Sequence, residues 1–144
     1  MSVSVEELLA AARARIERLE PAEAAAAAEG GALILDLRTH DARKRAGIVP
    51  GSLHVPRSVL EWRLDPESPY TNPHVGGRER RLILLCDHGF SSSLAAATLV
   101  ELGYERVGDI VGGFEAWIAA GLPVSRPTYR PAVGEPAGMG PPEP

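Results

Sequence analysis

The chain has 144 residues, of which 44% are hydrophobic and 24% charged, so it is long and apolar enough to form one globular domain with its own core. Its 19 acidic and 15 basic residues leave a net charge of -4, so there is no basic excess to bind nucleic acid or an anionic membrane. No apolar run approaches the ~20 residues of a membrane span. The N-terminus lacks a secretion-signal pattern and the single cysteine cannot form an internal disulfide, so we expect a cytoplasmic protein.

The first half of the chain alternates helices with strands. The spacing of its apolar residues predicts a helix over Val5–Leu19, with Ser4 as the N-cap. Pro21 begins a second predicted helix, which ends at a glycine pair. The run "ALILDLR" then predicts a buried strand ending near Asp36, and "THDARKRAG" predicts a short polar helix. A short strand around Leu53–Val55 and a helical segment, "RSVLEWRLD", complete this half.

The second half continues the alternation after a loop rich in proline and glycine. "RLILLC" predicts a strand, "SSSLAAATLVELGY" a helix capped by its serines, "RVGDIVGG" a third strand and turn, and "FEAWIAAG" a last helix. We divide the chain into an N-terminal helix (1–20), a central domain (21–124) and a flexible, proline-rich tail (125–144). Continuous apolar strands that alternate with helices predict an α/β fold, with a mostly parallel central sheet flanked by helices on both faces.

Cys86 stands where an apolar strand stops and a turn rich in glycine and serine begins, in "LILLCDHGFSSSLAAATLV". Parallel sheets bind ligands beyond the carboxyl ends of their strands. Unpaired N–H groups and the dipole at the start of the next helix favour an anion there, and the thiolate is the reactive form of cysteine. Gly89 permits an unusual backbone conformation, and Ser91 and Ser92 can donate hydrogen bonds to sulfur or to a bound anion. The stretch therefore predicts a cradle for a thiolate.

These residues alone leave other interpretations open. A lone cysteine at a strand end is often a small buried hydrophobe, and Asp87 beside it would raise the thiol pKa unless its side chain points away. His88 can either tune the thiolate or face water as an ordinary loop residue. His88 and Cys86 do not suggest a metal site, because no further ligand lies nearby in sequence. Asp36 and Arg38, at the end of a neighbouring strand, are expected to form an internal ion pair.

The chain resembles the rhodanese family of sulfurtransferases in three motifs that follow one another in the family's order. The first is "LILDLRTHDARKRAGIVPGSLHVP", with its Asp-x-Arg strand and its turn before the next strand. The second is the cysteine loop "LILLCDHGFSS" with its helix of small residues. The third is a glycine pair followed by an aromatic residue and a tryptophan, namely Gly112, Gly113, Phe114 and Trp117. The resemblance runs from about Pro21 to Val124 and implies a rhodanese-like domain.

The resemblance implies a sulfurtransferase that works by double displacement through Cys86. The thiolate would take the outer sulfur of a small donor such as thiosulfate, and an acceptor would then remove it from the Cys86 persulfide. The acceptor would be cyanide or a thiol, either a low-molecular-weight thiol or a thioredoxin-like protein. The loop residues Asp87, His88, Gly89, Phe90, Ser91 and Ser92 would cradle the substrate and the persulfide. No cofactor or metal is implied, and neither nucleic acid nor a membrane is expected as a partner.

The sequence departs from the family at two places. The histidine usual in the turn before the second strand is replaced by the stretch Ile48 and Val49, which we expect to have structural consequences only. The cysteine loop lacks the Arg or Lys that many family members carry, so thiosulfate is uncertain as the natural donor. Arg57, Trp62 and Arg63 follow a strand in a segment that could wall the site, and an arginine there could supply the missing cation.

Two further functions stay open at this point, and the cysteine loop argues against a third. A cysteine phosphatase would need an arginine six residues after Cys86, where this chain has Ser92. A rhodanese-like module that only binds other proteins is the main alternative, and a reachable thiol of lowered pKa would distinguish the enzyme from it. A relay that passes persulfide sulfur between proteins would use the same step at Cys86, so the sequence does not separate it from an enzyme.

Overall fold

Five short parallel strands form the central sheet of this computed structural model, which describes residues 1–144. Strand pairing gives the order β1-β5-β4-β2-β3. The strands are β1 Glu17–Leu19, β2 Leu33–Asp36, β3 Leu53–His54, β4 Leu82–Leu85 and β5 Val107–Ile110. The helices are α1 Val5–Arg13, α2 Pro21–Glu29, α3 His40–Ala46, α4 Leu60–Leu64, α5 Ser91–Glu101 and α6 Gly113–Ala119. None of these helices is both long and apolar enough to cross a bilayer.

Helices cover both faces of the sheet, as the sequence predicts. Successive side chains along a strand point to opposite faces, so a strand that is apolar throughout supplies two cores. Leu82 and Leu84 of β4 belong to one core, which includes residues of α4 and α5. Ile83 and Leu85 belong to the other, which includes residues of α2 and α6. The apolar run of β4 is therefore explained by burial on both sides, and the predicted α/β class is confirmed.

The N-terminal prediction is wrong in one respect, because the first helix ends at Arg13 rather than at Leu19. The capping box between Ser4 and Glu7 confirms its predicted start. Residues Glu17–Leu19 form the edge strand β1, which pairs with β5 in parallel. Pairing with a sheet edge is a tertiary interaction that helical spacing in the sequence does not report. The α1 helix then packs against α5, outside the sheet.

The proline-rich tail differs from the flexible segment that its composition predicts, because the structure places it against the body of the domain. The backbone N–H of Glu143 donates to the carbonyl of Ser52 at 2.9 Å, and the buried Glu143 carboxylate accepts bonds from Thr128. The side chain of Asn72 donates to two tail carbonyls. Polar contacts therefore hold a segment that has few apolar side chains of its own. The domain boundaries proposed above stay predictions.

Candidate active site

Cys86 directly follows the carboxyl end of β4, and its side chain is buried beneath the loop that leads to α5. The residue is 6% exposed, and its thiol is free. The backbone N–H of Gly89 donates a hydrogen bond to Sγ at 3.2 Å. Gly89 has φ of +82°, and a Cβ there would stand 2.8 Å from the backbone nitrogen of Gly112. Only glycine therefore allows the loop to turn this N–H toward sulfur.

The glycine pair before α6 holds the other side of the same loop. Gly113 has φ of +62°, and a Cβ on it would lie 2.5 Å from the carbonyl oxygen of Cys86. That close approach lets the N–H of Phe114 donate to the same carbonyl at 2.8 Å. Phe114 and Trp117 of the same motif are both buried. The family-like glycine pair thus fixes the end of β4 from which the thiol projects.

The pKa of the Cys86 thiol lies below its ordinary value. Burial raises this pKa, but hydrogen bonds from the Ser92 and Ser91 hydroxyls and from the backbone N–H groups of Ser92 and Gly89 lower it by more. A hydroxyl has only one proton to donate. The Ser92 hydroxyl oxygen lies 2.8 Å from a carboxylate oxygen of Asp109, so its proton is donated to that carboxylate and not to sulfur. The Ser91 hydroxyl and the backbone N–H groups of Ser92 and Gly89 act on the thiol without this competition.

Asp109 is a fully buried carboxylate beneath the loop, in the middle of β5. It accepts hydrogen bonds from the hydroxyls of Ser92 at 2.8 Å and Ser93 at 2.7 Å. Arg18 of β1 completes the shell, with Nε 3.0 Å from one carboxylate oxygen. A buried charge is costly unless it is paired and hydrogen-bonded, and these three partners meet that need. The start of α5 is thereby tied to the sheet through its serines.

The loop residues predicted to form the cradle divide into buried and exposed groups. Gly89 and Ser92 are buried next to the thiol, whereas Asp87, His88, Phe90 and Ser91 are exposed. The Asp87 side chain is exposed to solvent, whose high dielectric weakens the effect of its charge on the thiol pKa. His88 Nδ1 lies 2.7 Å from the carboxylate of Glu115, so this side chain faces outward and is paired on α6. Phe90, not a serine, is the N-cap of α5, which leaves the serine hydroxyls free for the loop and for Asp109.

The predicted wall residues lie on the β3 side of the sheet, and the structure does not bring all three to the loop. The backbone N–H of Arg57 donates to the carbonyl of Leu37, which follows β2 at the same sheet edge as Cys86. The Arg57 side chain pairs with Glu61. The buried guanidinium of Arg63 donates to carbonyls of Tyr70 and the tail, and Trp62 is 54% exposed. The contacts of Arg63 thus serve packing, and a wall made by Arg57 stays a prediction.

Asp36 and Arg38 form the predicted internal ion pair. Both side chains are fully buried, and two guanidinium nitrogens of Arg38 lie 3.1 Å and 2.9 Å from the carboxylate. Arg43 adds a third contact at 3.1 Å, and the Arg38 guanidinium stacks on the Phe114 ring at 3.7 Å. This arrangement braces α3 and α6 at the ends of β2 and β4. It confirms a structural role for the pair.

Sequence reasoning missed Arg13, Arg18 and Asp109. The guanidinium groups of Arg13 and Arg18 both reach the carbonyl oxygen of Gly89, at 2.8 Å and 3.0 Å. A charged residue within the otherwise apolar strand "VGDIV" was the one available signal, because a buried carboxylate requires partners. The two arginines gave no such signal, since arginine in an N-terminal segment is usually solvated. No three side chains of the types that bind metals come together in the chain.

The chain is similar in sequence to a known domain family and to named sulfurtransferases. The family model described as "Rhodanese-like domain" matches residues 20–120. The thiosulfate sulfurtransferase GlpE of Pseudomonas syringae pv. syringae is 36% identical over 101 residues, which cover 70% of this chain and 86% of that protein. A sulfurtransferase of Allochromatium vinosum is 33% identical over 95 residues, which cover 66% of this chain and 79% of the relative.

Solved structures agree on the fold. A Rhodopseudomonas palustris protein of unknown function, described as a possible tyrosine phosphatase, superposes with a TM-score of 0.80 at 34% identity and covers 87% of this chain and 96% of its own. The polysulfide-sulfur transferase homodimer of Wolinella succinogenes gives a TM-score of 0.68 at 24% identity and covers 87% of this chain and 89% of its own. The second likeness supports the fold only.

Proposed function

Because this chain belongs to the family of rhodanese-like domains, we propose that it is a sulfurtransferase that carries a sulfane sulfur on Cys86, from a donor such as thiosulfate to a thiol or cyanide. The observation that supports the proposal most directly is the environment of the Cys86 thiol. Its Sγ accepts a hydrogen bond from the Gly89 N–H in a loop that resembles the family's cysteine loop, and its pKa is lowered. A thiolate is the nucleophile that such a transfer requires.

The proposed reaction has two displacement steps. In the first, the Cys86 thiolate attacks the outer sulfur of thiosulfate, an S–S bond forms to Cys86, and sulfite leaves with the electron pair of the broken bond. In the second, an acceptor thiolate attacks the outer sulfur of the Cys86 persulfide, and Cys86 leaves as a thiolate. The electron count balances without an added oxidant or reductant, and the chain's own residues suffice for both steps. Cyanide in place of the thiol would yield thiocyanate.

The loop can stabilise each charged state of this cycle. The thiolate that begins and ends it accepts the N–H of Gly89 at 3.2 Å, and the N-terminus of α5 adds the positive end of its dipole. Residue Cys86 is 6% exposed, so the outer sulfur of a persulfide would extend toward solvent, near the exposed residues Phe90 and Ser91. Backbone donors that are fixed before the reaction stabilise developing charge at little reorganisation cost. We propose a low-molecular-weight thiol or a thioredoxin-like protein as the acceptor, in the reducing environment of the cytoplasm.

Phosphatase chemistry, suggested by the description of the Rhodopseudomonas palustris relative, fits this loop poorly. A phosphoryl group held by a cysteine loop needs a guanidinium that contacts its oxygens bidentately. The residue six positions after Cys86 is Ser92, which is buried and donates to Asp109. We therefore do not propose this activity for the chain.

Intact mass of the purified protein tests the proposal directly. The protein is measured before and after incubation with thiosulfate and again after cyanide, with Cys86→Ser as the control. We expect a gain of one sulfur atom that cyanide removes and that the variant never shows. No gain with thiosulfate, mercaptopyruvate or a persulfide donor, in a folded protein, would refute the proposal and favour the non-catalytic binding module. Turnover with different acceptors would then separate an enzyme from a relay.

A further inference from the structure

The carbonyl oxygen of Gly89 accepts hydrogen bonds from two arginines of the N-terminal segment. Arg13, the last residue of α1, donates to it from Nη2 at 2.8 Å, and Arg18 of β1 donates from Nη2 at 3.0 Å. Both residues precede the part of the chain that the family model matches, which begins at residue 20. The loop between Cys86 and α5 contains no lysine or arginine of its own. Positive charge thus reaches this loop from outside the family domain.

The two arginines differ in how much of their charge is neutralised. Arg18 contacts the buried carboxylate of Asp109 through two of its nitrogens. Arg13 donates from Nε to the hydroxyl of Ser93 at 3.1 Å and from Nη2 to the Gly89 carbonyl, both of which are neutral oxygens. Its guanidinium also lies 5.6 Å from the centre of the Phe90 ring. Arg13 is therefore the uncompensated cation beside the loop.

The planar geometry of the Gly89–Phe90 peptide extends the effect of this contact beyond the carbonyl group. A trans peptide is planar, so its C=O and N–H point in opposite directions. The guanidinium groups that hold the Gly89 carbonyl on one side therefore fix the Phe90 N–H toward the other side. A cation on the carbonyl also polarises the peptide, which strengthens the donor at its other end. The preceding N–H, that of Gly89, already donates to Sγ.

We propose that Arg13 is a positioning residue for the transfer at Cys86: it orients the Gly89–Phe90 peptide and supplies the positive charge that the loop lacks. The inference rests on the proposed function for its role in sulfur transfer, but its effect on the thiol does not require a sulfur donor. Arg13 acts through the loop and does not contact Sγ. The N-terminal segment, α1 and β1, thereby becomes part of the working site rather than an appendage.

Charged groups from every neighbouring element set the field in which the thiol titrates. They are Arg13 on α1, Arg18 on β1, Arg38 after β2, Asp87 and His88 in the loop, Asp109 on β5 and Glu115 on α6. His88 is exposed and paired with Glu115, and none of the substitutions compared below changes either residue. A difference between variants then reports the arginine alone.

The rate of alkylation of Cys86 by iodoacetamide, measured from pH 5 to 10, tests the proposal. Arg13→Gln removes the charge from a half-buried residue that has no carboxylate partner, so we expect the variant to fold. We expect it to slow alkylation at neutral pH roughly threefold to tenfold and to leave the rate at high pH unchanged. Arg13→Lys keeps the charge and should restore most of the neutral-pH rate.

Arg15→Gln is the matched control, because Arg15 is two residues away and pairs with the exposed Glu101 on α5. It should react as the wild type does. Superimposable profiles for Arg13→Gln and wild type would overturn the inference, as would an equal loss of rate at every pH, which indicates altered access. Because iodoacetamide needs no sulfur donor, this result is separate from the mass measurement. If the protein takes up no sulfur, the proposed function is refuted. The alkylation profiles alone then decide whether Arg13 acts on the thiol.

Discussion

Replacing Gly113 with alanine is expected to destabilise the protein and disturb Cys86 together, because this glycine lies against the backbone that carries the thiol. A Cβ at position 113 would lie 2.5 Å from the carbonyl oxygen of Cys86 and 2.7 Å from backbone atoms of Asp87 and His88. All three neighbours are main-chain atoms of the cysteine loop, so none can move aside by changing a rotamer. The whole turn after β4 would have to shift.

The expected magnitude has two parts. Gly113 has φ of +62°, a left-handed conformation that costs an alanine about 1–2 kcal/mol. The forced shift of packed backbone adds about 1–3 kcal/mol, as overpacking in a core does. We therefore expect the free energy of unfolding to fall by roughly 2–5 kcal/mol in Gly113→Ala.

Gly121→Ala separates the two contributions. Gly121 has φ of +71°, but a Cβ there would find nothing within 4 Å. This variant should therefore lose only the conformational part, about 1–2 kcal/mol. Urea unfolding at equilibrium gives the free energy of each variant, and iodoacetamide gives the reactivity of the thiol. If the two variants lost equal stability and reacted equally, the close packing of Gly113 on the cysteine loop would be refuted.

Three further outcomes are expected from the same structure. Because the Ser91 hydroxyl lowers the thiol pKa, the pH midpoint of Cys86 alkylation should lie below that of an ordinary thiol and should rise in Ser91→Ala; an unchanged midpoint would remove Ser91 from the cradle. Asp36→Asn leaves the buried Arg38 guanidinium without a carboxylate, and Arg43 with only the more distant Glu143 at 3.8 Å, so it should lower the free energy of unfolding by about 3–5 kcal/mol. The exposed Asp41→Asn should lower it by under ~0.5 kcal/mol, and similar losses for the two variants in urea titrations would contradict the argument. Burial raises the pKa of Glu143, but hydrogen bonds and a nearby arginine lower it by more, so its contribution is fully present above the ordinary carboxyl value of ~4.3 and is lost as pH falls through the lower folded value. The melting temperatures of wild type and Glu143→Gln should therefore differ at pH 7 and converge as the pH falls below the folded value, and a difference that does not shrink as the pH is lowered would argue against this linkage.

Much of the central domain follows from local sequence patterns. Residues Leu82–Leu85 form the predicted strand that is apolar on both faces, and the glycine turns and helices around it begin and end close to where the sequence places them. Cys86 at the end of that strand could be singled out because a parallel sheet places its ligands there. These features depend on residues close together in the chain, so periodicity and turn chemistry report them.

The features that depend on distant residues were not predictable in the same way. Residues Glu17–Leu19 have helical spacing in the sequence, yet they pair with β5 because an open sheet edge offers them backbone partners about 90 residues away. The sequence alone determined an α/β domain with a candidate nucleophile at Cys86. Only the tertiary structure decided which side chains surround it, since Arg13, Arg18 and Asp109 reach the loop from three separate segments that meet through sheet pairing and helix packing. Long-range contacts of this kind set the charge around the thiol. The carboxylate within "VGDIV" indicates that partners are needed, but no local pattern in the chain identifies which residues they are.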